Sequence, residues 1–252
     1  MSWWKIKKKE ITLDCYTHRA DVYNYFPIVE AKNKIPDWFK KTPPSCFKGV
    51  KDKDYVKTIK GCPGLLEYWT KGFVLPLWSD LSIILEQEGK TGYEWQYSDL
   101  LSSIDVHDPE QTNNYFPETK YQHLKLVSPW LFVCSEDISF LAVEPAWQFD
   151  VFKNVRILTG VLNFKFQSGT HINMFCLRED REKETILRSG TPLYNFIPLT
   201  EKKIKLKTHL VTLDKFDRIK QSGMRTSFNR SYDKNKKLLQ EKTCPFKFDT
   251  DT

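Results

Sequence analysis

Residues 155–213 read VRILTGVLNFKFQSGTHINMFCLREDREKETILRSGTPLYNFIPLTEKKIKLKTHLVTL. Apolar residues alternate or gather in short runs, and Gly, Asn, Ser-Gly and Pro separate the runs. This arrangement is typical of several short antiparallel strands. The stretch therefore predicts a mainly β protein, an antiparallel barrel or sandwich of the β-clip or jelly-roll kind.

The composition predicts one β-rich domain over residues 1–213 with a sizeable core. The chain has 252 residues, of which 40% are hydrophobic and 14% aromatic. Each buried aromatic ring removes roughly 150–250 Å² from water. Domains of this length are common among all-β proteins, and no internal repeat divides the chain.

The net charge of +7 is confined to the last fifth of the chain. Residues 201–252 hold fourteen Lys or Arg and seven Asp or Glu, whereas residues 1–200 hold twenty-five of each. This distribution argues against a basic binding face spread over the β domain. Residues 214–252 are expected to form a basic helical tail.

The cysteines and the N-terminus indicate an intracellular protein. Six cysteines occur without a CxxC pair or zinc-type spacing, which predicts reduced and mostly packed thiols. The opening MSWWKIKKKE has no apolar run after its basic residues, so neither a signal peptide nor a membrane anchor is expected.

Further strands are expected outside the central stretch. A first strand is predicted at Ile11–Tyr16, and alternate apolar positions predict one strand over Phe73–Glu86. Tyr121–Val133 and Ile138–Val143 flank a polar turn at Ser135–Asp137, and this spacing predicts a hairpin.

The segments between strands have their own signals. A Pro/Trp-rich wrap over residues 24–60 carries prolines that favour an extended, ordered loop. A short helix is predicted at about 63–71, with Pro63 near its start and Gly72 at its end. Asp214 is expected to cap a helix that Gly223 ends, and 228–240 is expected to form a second, solvated helix.

Three segments together resemble uncharacterised proteins of tailed marine bacteriophages. They are the runs 158–163 (LTGVLN), 172–177 (INMFCL) and 186–197 (ILRSGTPLYNFI), and the resemblance extends to CPGLLEYWTKGFVLPLWSD and HLKLVSPWLFV. It covers about two thirds of the chain. The resemblance implies a phage-encoded protein and brings no activity with it.

The same region is remotely similar to the closing half of a dUTP pyrophosphatase, a β-clip fold. Gly160, Val161 and Leu162 match that family's turn, Gly190 matches its loop glycine, and Asn195 falls near its glutamine. The family's acidic residue, which activates or orients the attacking water, falls on Asn163, and an amide cannot accept a proton. The phosphate-binding Arg-Ser pair falls on 144–146, where Glu144 would repel an anion. A shared fold without the shared chemistry is the expected outcome.

Histidines supply the candidate metal ligands. His107, His123 and His171, with Asp108, could meet at a barrel mouth, as an iron- and 2-oxoglutarate-dependent oxygenase would require. No HxH, HxxxH or HxD/E pair anchors them locally. Strand-end histidines without a metal are the favoured interpretation, and no cofactor is predicted.

Two other residue groups are candidates for binding. The pocket or partner-surface candidates lie near segment ends, where packing is the competing explanation for the large rings: Trp78, Trp95, Trp130, Trp147, Asn163, Asn173 and Asn195. In the tail, basic residues interleave with aromatic ones and could bind single-stranded nucleic acid: Arg225, Arg230, Lys234, Lys236 and Lys237.

The leading hypothesis is a phage-encoded, non-catalytic β-rich protein that acts through contacts with a protein partner or with its own copies. Its expected location is the cytoplasm of the infected host or the virion, without a membrane. The alternatives are a diverged nucleotide hydrolase or an oxygenase on the same scaffold, and nucleic-acid binding through the tail.

Overall fold

The structure is a computed structural model that describes residues 10–47, 55–85, 93–97, 104–117, 120–145, 148, 152–177 and 185–224. The protein is mainly β, as the sequence predicts. The strands are β1 Ile11–Thr17, β2 Val29–Glu30, β3 Ser45–Phe47, β4 Tyr55–Lys57, β5 Phe73–Pro76, β6 Leu81–Leu85, β7 Tyr93–Tyr97, β8 Ile104–His107, β9 Tyr121–Cys134, β10 Ser139–Val143, β11 Val155–Ile157, β12 Gly160–Asn163, β13 Gly169–Leu177, β14 Thr185–Leu187, β15 Pro192–Pro198 and β16 Ile204–Leu210. The helices are α1 Ala20–Tyr25, α2 Asp37–Lys41, α3 Pro63–Thr70 and α4 Leu213–Met224, with 3₁₀ turns at Ala31–Lys34, Ile59–Gly61 and Pro109–Thr112.

Two large sheets carry the fold. Sheet A has the order β11-β13-β9-β1-β16, with β8 also paired to β9, and sheet B has the order β12-β10-β15-β5-β2. A three-stranded sheet, β14-β6-β7, and the β3-β4 pair complete the described strands. Among the described strands, every pairing is antiparallel except that of β1 with β16, which is parallel.

Sheets A and B share one hydrophobic core. In β9 and β10 alternate residues are buried, so each strand turns one row of side chains inward. Phe132 of β9 stacks on Phe164 at 4.7 Å between ring centroids, and Phe164 meets Phe196 of β15 at 5.4 Å. Burial of each such ring contributes roughly 1.5–3 kcal/mol. The described strands form open sheets, and no closed barrel is found among them.

The N-terminal wrap contains more regular structure than its prolines predict. Pro36 occupies the N-cap of α2, a position that needs no amide hydrogen, and Phe39 of α2 is buried against Trp69 of α3. Strands β3 and β4 pair further along. The helix predicted at 63–71 is confirmed as α3, with Pro63 at its start and Gly72 in a positive-φ conformation after its end.

The single strand predicted over Phe73–Glu86 is wrong. The segment divides into β5 of sheet B and β6 of the three-stranded sheet. All four residues of β5 are buried, so the continuous apolar content of this segment reflects burial on both faces. Asp80 lies between the two strands. Its carboxylate accepts hydrogen bonds from Ser189 N at 2.7 Å and from the Arg188 guanidinium at 2.9 Å, which fixes the chain at this point.

The hairpin predicted across Ser135–Asp137 is also wrong. Strands β9 and β10 both form, but β9 belongs to sheet A and β10 to sheet B. The turn carries the chain from one sheet to the other, and the Ile138 and Phe140 side chains after it are buried in the shared core. Turn spacing therefore located the strands and did not determine their partners.

Helix α4 begins two residues earlier than a cap at Asp214 predicts, because another side chain caps it. The Thr212 hydroxyl accepts a hydrogen bond from Lys215 N at 3.4 Å, and the helix continues through Gly223 to Met224. Its Phe216 is buried and lies edge-on to His18 at 4.6 Å. Helix α4 thus packs onto sheet A next to β9 and β13.

Within the described ranges, no helix has the length and apolar character that crossing a bilayer requires.

Candidate functional site

The outer face of sheet A carries rows of polar and aromatic side chains. In β9, Leu124 and Leu126 are buried, whereas His123 and Lys125 are half-buried on the opposite face. The strand register places residues of β8 and β13 directly beside them. Side chains at paired positions share a face of the sheet, so each pairing continues as a row across three strands.

The first row is made of rings. His107 of β8 pairs with His123 of β9, which pairs with Phe175 of β13. The His107 and His123 rings stack at 4.4 Å, and the His123 and Phe175 rings stack at 4.6 Å. The second row is polar and consists of Asp105, Lys125 and Asn173. In it, the Lys125 ammonium lies 2.9 Å from the Asp105 carboxylate.

The chain after β8 builds a wall over the ring row. Pro109 opens a 3₁₀ turn with Asp108 at its N-cap, and Asn113 and Asn114 follow with positive φ. Asn adopts this left-handed conformation more readily than most residues. The turn brings Phe116 back over the sheet, where its ring lies 4.6 Å from that of Phe175.

Together these elements form a small cleft open to solvent, with a volume of about 10 Å³, which is room for about one water molecule. We call it the histidine cleft, and its walls include His107, Asp108, Phe116, Tyr121, His123 and Phe175. Of the four residues singled out by sequence as metal candidates, three meet here. His171 also lies on β13, but it is exposed beside Val127 and outside the cleft.

The electrostatics of the cleft favour neutral imidazole at His123. Partial burial lowers the pKa of His123, and the neighbouring His107 and Lys125 lower it further, while a hydrogen bond to the Asn173 side chain acts in the opposite direction. Partial desolvation and the Lys125 charge also lower the pKa of His171. The hydrogen bond from Lys125 lowers the pKa of Asp105, so that pair stays ionised.

The cleft is not arranged as a metal centre. Among the residues that the structure describes, no group of three or more His, Cys, Asp or Glu side chains is placed to hold a metal ion. The two imidazoles stack face to face, and a shared metal at roughly 2.0–2.1 Å from each nitrogen would require both rings to turn.

The pocket candidates from the sequence lie in separate places. Trp78 and Trp130 are almost fully buried, so neither ring reaches the surface. The side chains of Trp95 and Trp147 lie outside what the structure describes. Of the five candidates whose side chains the structure describes, only Asn173 borders the cleft, through its hydrogen bond to His123.

Asn163 and Asn195 hold the fold together. Asn163 is buried; its Nδ2 donates to Asp137 Oδ1 at 2.7 Å, and its Oδ1 accepts from Lys165 N at 3.1 Å. Asn195 lies against α3, where its Nδ2 donates to the Tyr68 carbonyl at 3.5 Å. Neither amide faces the histidine cleft.

The remaining positions matched to the nucleotide hydrolases are structural too. Gly160, Val161 and Leu162 lie in β12 and form no turn, whereas Gly190 does lie in a turn, with φ of +80°. Glu144 Oε2 accepts a hydrogen bond from Ile157 N at 2.9 Å.

The nucleic-acid candidates fall outside the described residues. Arg225, Arg230, Lys234, Lys236 and Lys237 all follow Met224, where the description ends, as does the helix expected at 228–240. Nucleic-acid binding by the tail stays a prediction.

Sequence reasoning did not single out the cleft's apolar wall. Phe116, Tyr121 and Phe175 are ordinary aromatic residues in a chain rich in them. The alternation of Tyr121, His123 and Lys125 with buried residues was a usable signal for an exposed face. Their partners on β8 and β13 depend on strand register, which one sequence does not reveal.

Comparison with known proteins shows no matching protein-family model and no significant match to a curated protein.

Proposed function

We propose that this protein is a phage-encoded, non-catalytic β-rich protein that acts by binding another protein through the outer face of sheet A. The observation that carries the proposal is the position of the histidine cleft on an exposed sheet face, where imidazole and aromatic rings line it. Its volume of about 10 Å³ is far below the roughly 300–1,000 Å³ of pockets that enclose small-molecule ligands. A surface of this kind suits contact with a protein partner.

The composition of the cleft supports the same function. Tyr121 and Phe175 give it apolar walls, and Asp108 gives it a charged rim. Binding hot spots in protein interfaces combine an aromatic pocket with a few oriented polar groups, and a more polar rim surrounds them. The outer face of sheet A has this organisation around the first two rows of side chains.

The position matched to the hydrolase acid supports a role without catalysis. Both ends of the Asn163 amide are used to hold the Asp137 side chain and the turn at Lys165. An amide so engaged neither accepts a proton from water nor moves toward a substrate.

We further propose that sheets A and B form a sandwich of the β-clip or jelly-roll kind. Their common core, crossed by the Phe132, Phe164 and Phe196 rings, supports this architecture. The resemblance to proteins of tailed marine bacteriophages supports a place of action in the infected host cytoplasm or on the virion.

Photo-crosslinking in phage-infected cells tests the function. The crosslinking residue p-benzoylphenylalanine replaces Tyr115, which is 79% exposed and follows the cleft's 3₁₀ turn. The matched control places it at Tyr25, which is 76% exposed on α1, the helix beside β1 and β16. We expect one defined adduct from position 115, whether to another protein or to a second copy, and none at the same mass from position 25. A protein that stays strictly monomeric at high concentration and yields no adduct from position 115 contradicts the proposal.

A further inference from the structure

Strand β12 is an edge of sheet B that differs from the other edges of the two large sheets. The order of sheet B ends at β12, which pairs with β10 alone among the described strands. Its sequence, GVLN, contains no charged residue. An exposed edge presents unpaired N–H and C=O groups to any extended chain, and natural proteins usually protect such an edge with charged side chains. The β12 edge lacks that protection.

The other edge strands carry the charge that β12 lacks. On sheet A, exposed charged residues lie on the edge strands β16, β11 and β8: Lys205, Lys207, Arg156 and Asp105. At the far end of sheet B, β2 has only two residues and includes Glu30. Short length and charge both discourage the addition of a further strand. Among the described strands of the two sheets, strand addition is therefore favoured at β12.

An apolar row leads across sheet B to this edge. The strand register places Val161 of β12 beside Leu141 of β10, and Leu141 beside Ile197 of β15. These side chains lie on the outer face, because the alternating neighbours Phe140 and Phe196 are buried in the core. Val161 is 61% exposed, whereas Leu141 and Ile197 are half-buried. The most exposed member of the row thus lies at the open edge.

Charges of both signs lie in the turns next to the row, so no charged partner is selected there. The turns next to β5, β10 and β15 contain two ion pairs, Lys71 with Glu201 at 3.2 Å and Lys202 with Glu136 at 3.0 Å. Nucleic acid, or a strongly acidic or basic segment, gains little from such a surface. A second copy of the chain meets no repulsion between like charges along β12 itself.

A two-fold axis at Val161 makes the β12 edge complementary to itself. Antiparallel pairing of β12 with β12 of a second copy places Val161 opposite Val161, and Gly160 opposite Leu162. The outward N–H and C=O groups of both strands are then paired. The row formed by Ile197, Leu141 and Val161 continues into the same row of the second copy, and β-branched side chains at facing positions stabilise the contact.

We propose that the protein forms a two-fold symmetric dimer in which the β12 edges pair antiparallel about Val161 and join the two B sheets into one continuous sheet. The contact uses a four-residue strand, so it buries less than about 1,200 Å², the lower bound for stable, specific interfaces. The dimer is therefore weak, with a Kd of roughly 10–500 µM. This inference goes beyond the proposed function, because it uses sheet B and leaves the outer face of sheet A available for another partner.

Sedimentation velocity of the full-length chain tests for the dimer. From about 10 µM to about 1 mM, the wild type should shift from monomer to dimer. Val161→Lys should weaken the dimer at least about tenfold, because it places two like charges directly opposite each other. The matched control, Leu210→Lys, adds the same charge to a 47% exposed residue of the β16 edge and should leave the Kd within about twofold. Both side chains are exposed, and equal urea midpoints check that both variants fold.

A disulfide between copies measures the register directly. Facing residues of an antiparallel pair have Cα atoms about 4.5–5.5 Å apart, which lies within the range that disulfides adopt. Val161→Cys should therefore link two copies through position 161 under mild oxidation, in a chain whose accessible or tail cysteines are replaced: Cys46→Ser, Cys62→Ser and Cys244→Ser. Leu210→Cys in the same chain should link at least about tenfold more slowly. Mass spectrometry of the linked peptides identifies the bond.

Three outcomes overturn the inference. One is a wild type that sediments as a monomer up to about 1 mM. Another is an equal loss of the dimer, or equal disulfide formation, at positions 161 and 210. The third is a mixed disulfide between Val161→Cys and a different protein in infected cells, which assigns the β12 edge to a foreign strand.

The crosslink from position 115 separates this inference from the proposed function. That crosslink reports on sheet A, so a chain with Val161→Lys should lose the dimer and keep the adduct. A wild type that forms the β12 dimer and gives no adduct from position 115 would count against sheet A as the binding face and leave the dimer standing.

Discussion

Gly72 lies so close to Asn195 that no side chain fits at position 72. A Cβ built on Gly72 would stand 2.9 Å from Asn195 Oδ1 and 2.5 Å from the Phe196 carbonyl oxygen. Gly72 also has a φ of +94°, which L side chains rarely adopt. The chain passes from α3 into β5 at this residue, so the contact holds α3 against sheet B.

Gly72→Ala should therefore destabilise the protein by about 3–5 kcal/mol, from backbone strain plus the clash with backbone atoms. Gly190 has a φ of +80° but open space around it, so Gly190→Ala should cost about 1 kcal/mol from strain alone. Gly160 has neither feature, and Gly160→Ala in β12 should be neutral or slightly stabilising. Urea unfolding of the three variants measures the order of their stability losses. Equal losses of unfolding free energy would contradict the role assigned to the close contact at Gly72.

Asn163→Asp should destabilise the protein by about 2–4 kcal/mol near neutral pH and create no nucleotide hydrolysis. The change places a buried carboxylate against Asp137, whose Oδ1 lies 2.7 Å from Asn163 Nδ2. Stability should recover partly as the pH falls toward about 4, where the pair can share a proton. Adding Asp137→Asn restores a donor and an acceptor and should recover most of the loss. Nucleotide hydrolysis by the single variant would instead favour a diverged enzyme.

The free energy of unfolding should decrease as the pH falls below about 6.5, the ordinary pKa of a histidine side chain. Partial desolvation in the folded protein lowers the pKa of His18, His123 and His171. The unfolded chain therefore takes up protons that the folded chain does not, and the loss continues until the pH passes below the folded-state pKa values.

His123→Gln should reduce the difference in urea midpoint between about pH 7.5 and about pH 5.5. The groups that face His123 are His107, Lys125, Asp105 and Asp108, so part of the dependence remains in the variant. An unchanged or enlarged difference would show that His123 is not protonated more readily in the unfolded chain.

Thiol labelling should divide the five cysteines that the structure describes into two classes. Cys46 and Cys62 are exposed, whereas Cys15, Cys134 and Cys176 are buried. Burial raises the pKa of Cys15 and Cys134, and the thiolate is the reactive form. Under native conditions we expect the exposed pair to react at least about 100-fold faster, as measured by peptide mapping after timed alkylation. Rapid modification of Cys15 would indicate that the core opens readily.

The sequence predicts the elements that depend on local patterns. The alternation in β1 and β9, and the Pro63 and Gly72 signals of α3, depend on residues close together in the chain, and the structure has all three. The divided segment at Phe73–Glu86 shows the limit of this reasoning. Strands β5 and β6 belong to different sheets, but their apolar residues follow one continuous spacing because both strands are buried. Burial depends on residues that are distant in the sequence.

The candidate site shows a similar division. The chemistry of His107, Asp108 and His123 made them candidates before their positions were known, and the structure brings them to one cleft. Their separation from His171 depends on the four-residue offset between His171 and Phe175 on β13 and on the pairing of that strand with β9. No pattern within one strand contains this information.

The parallel contact between β1 and β16 constrains the order in which this molecule can be assembled during its synthesis. β1 leaves the ribosome well before β16, the strand that covers its second edge and ends at Leu210. Until β16 is synthesised, β1 offers unpaired amides and carbonyls to any neighbouring extended chain. Nascent chains on the same messenger RNA can therefore pair with one another through their β1 strands. Slower translation of the region before Ile204 would lengthen the period in which this mispairing occurs.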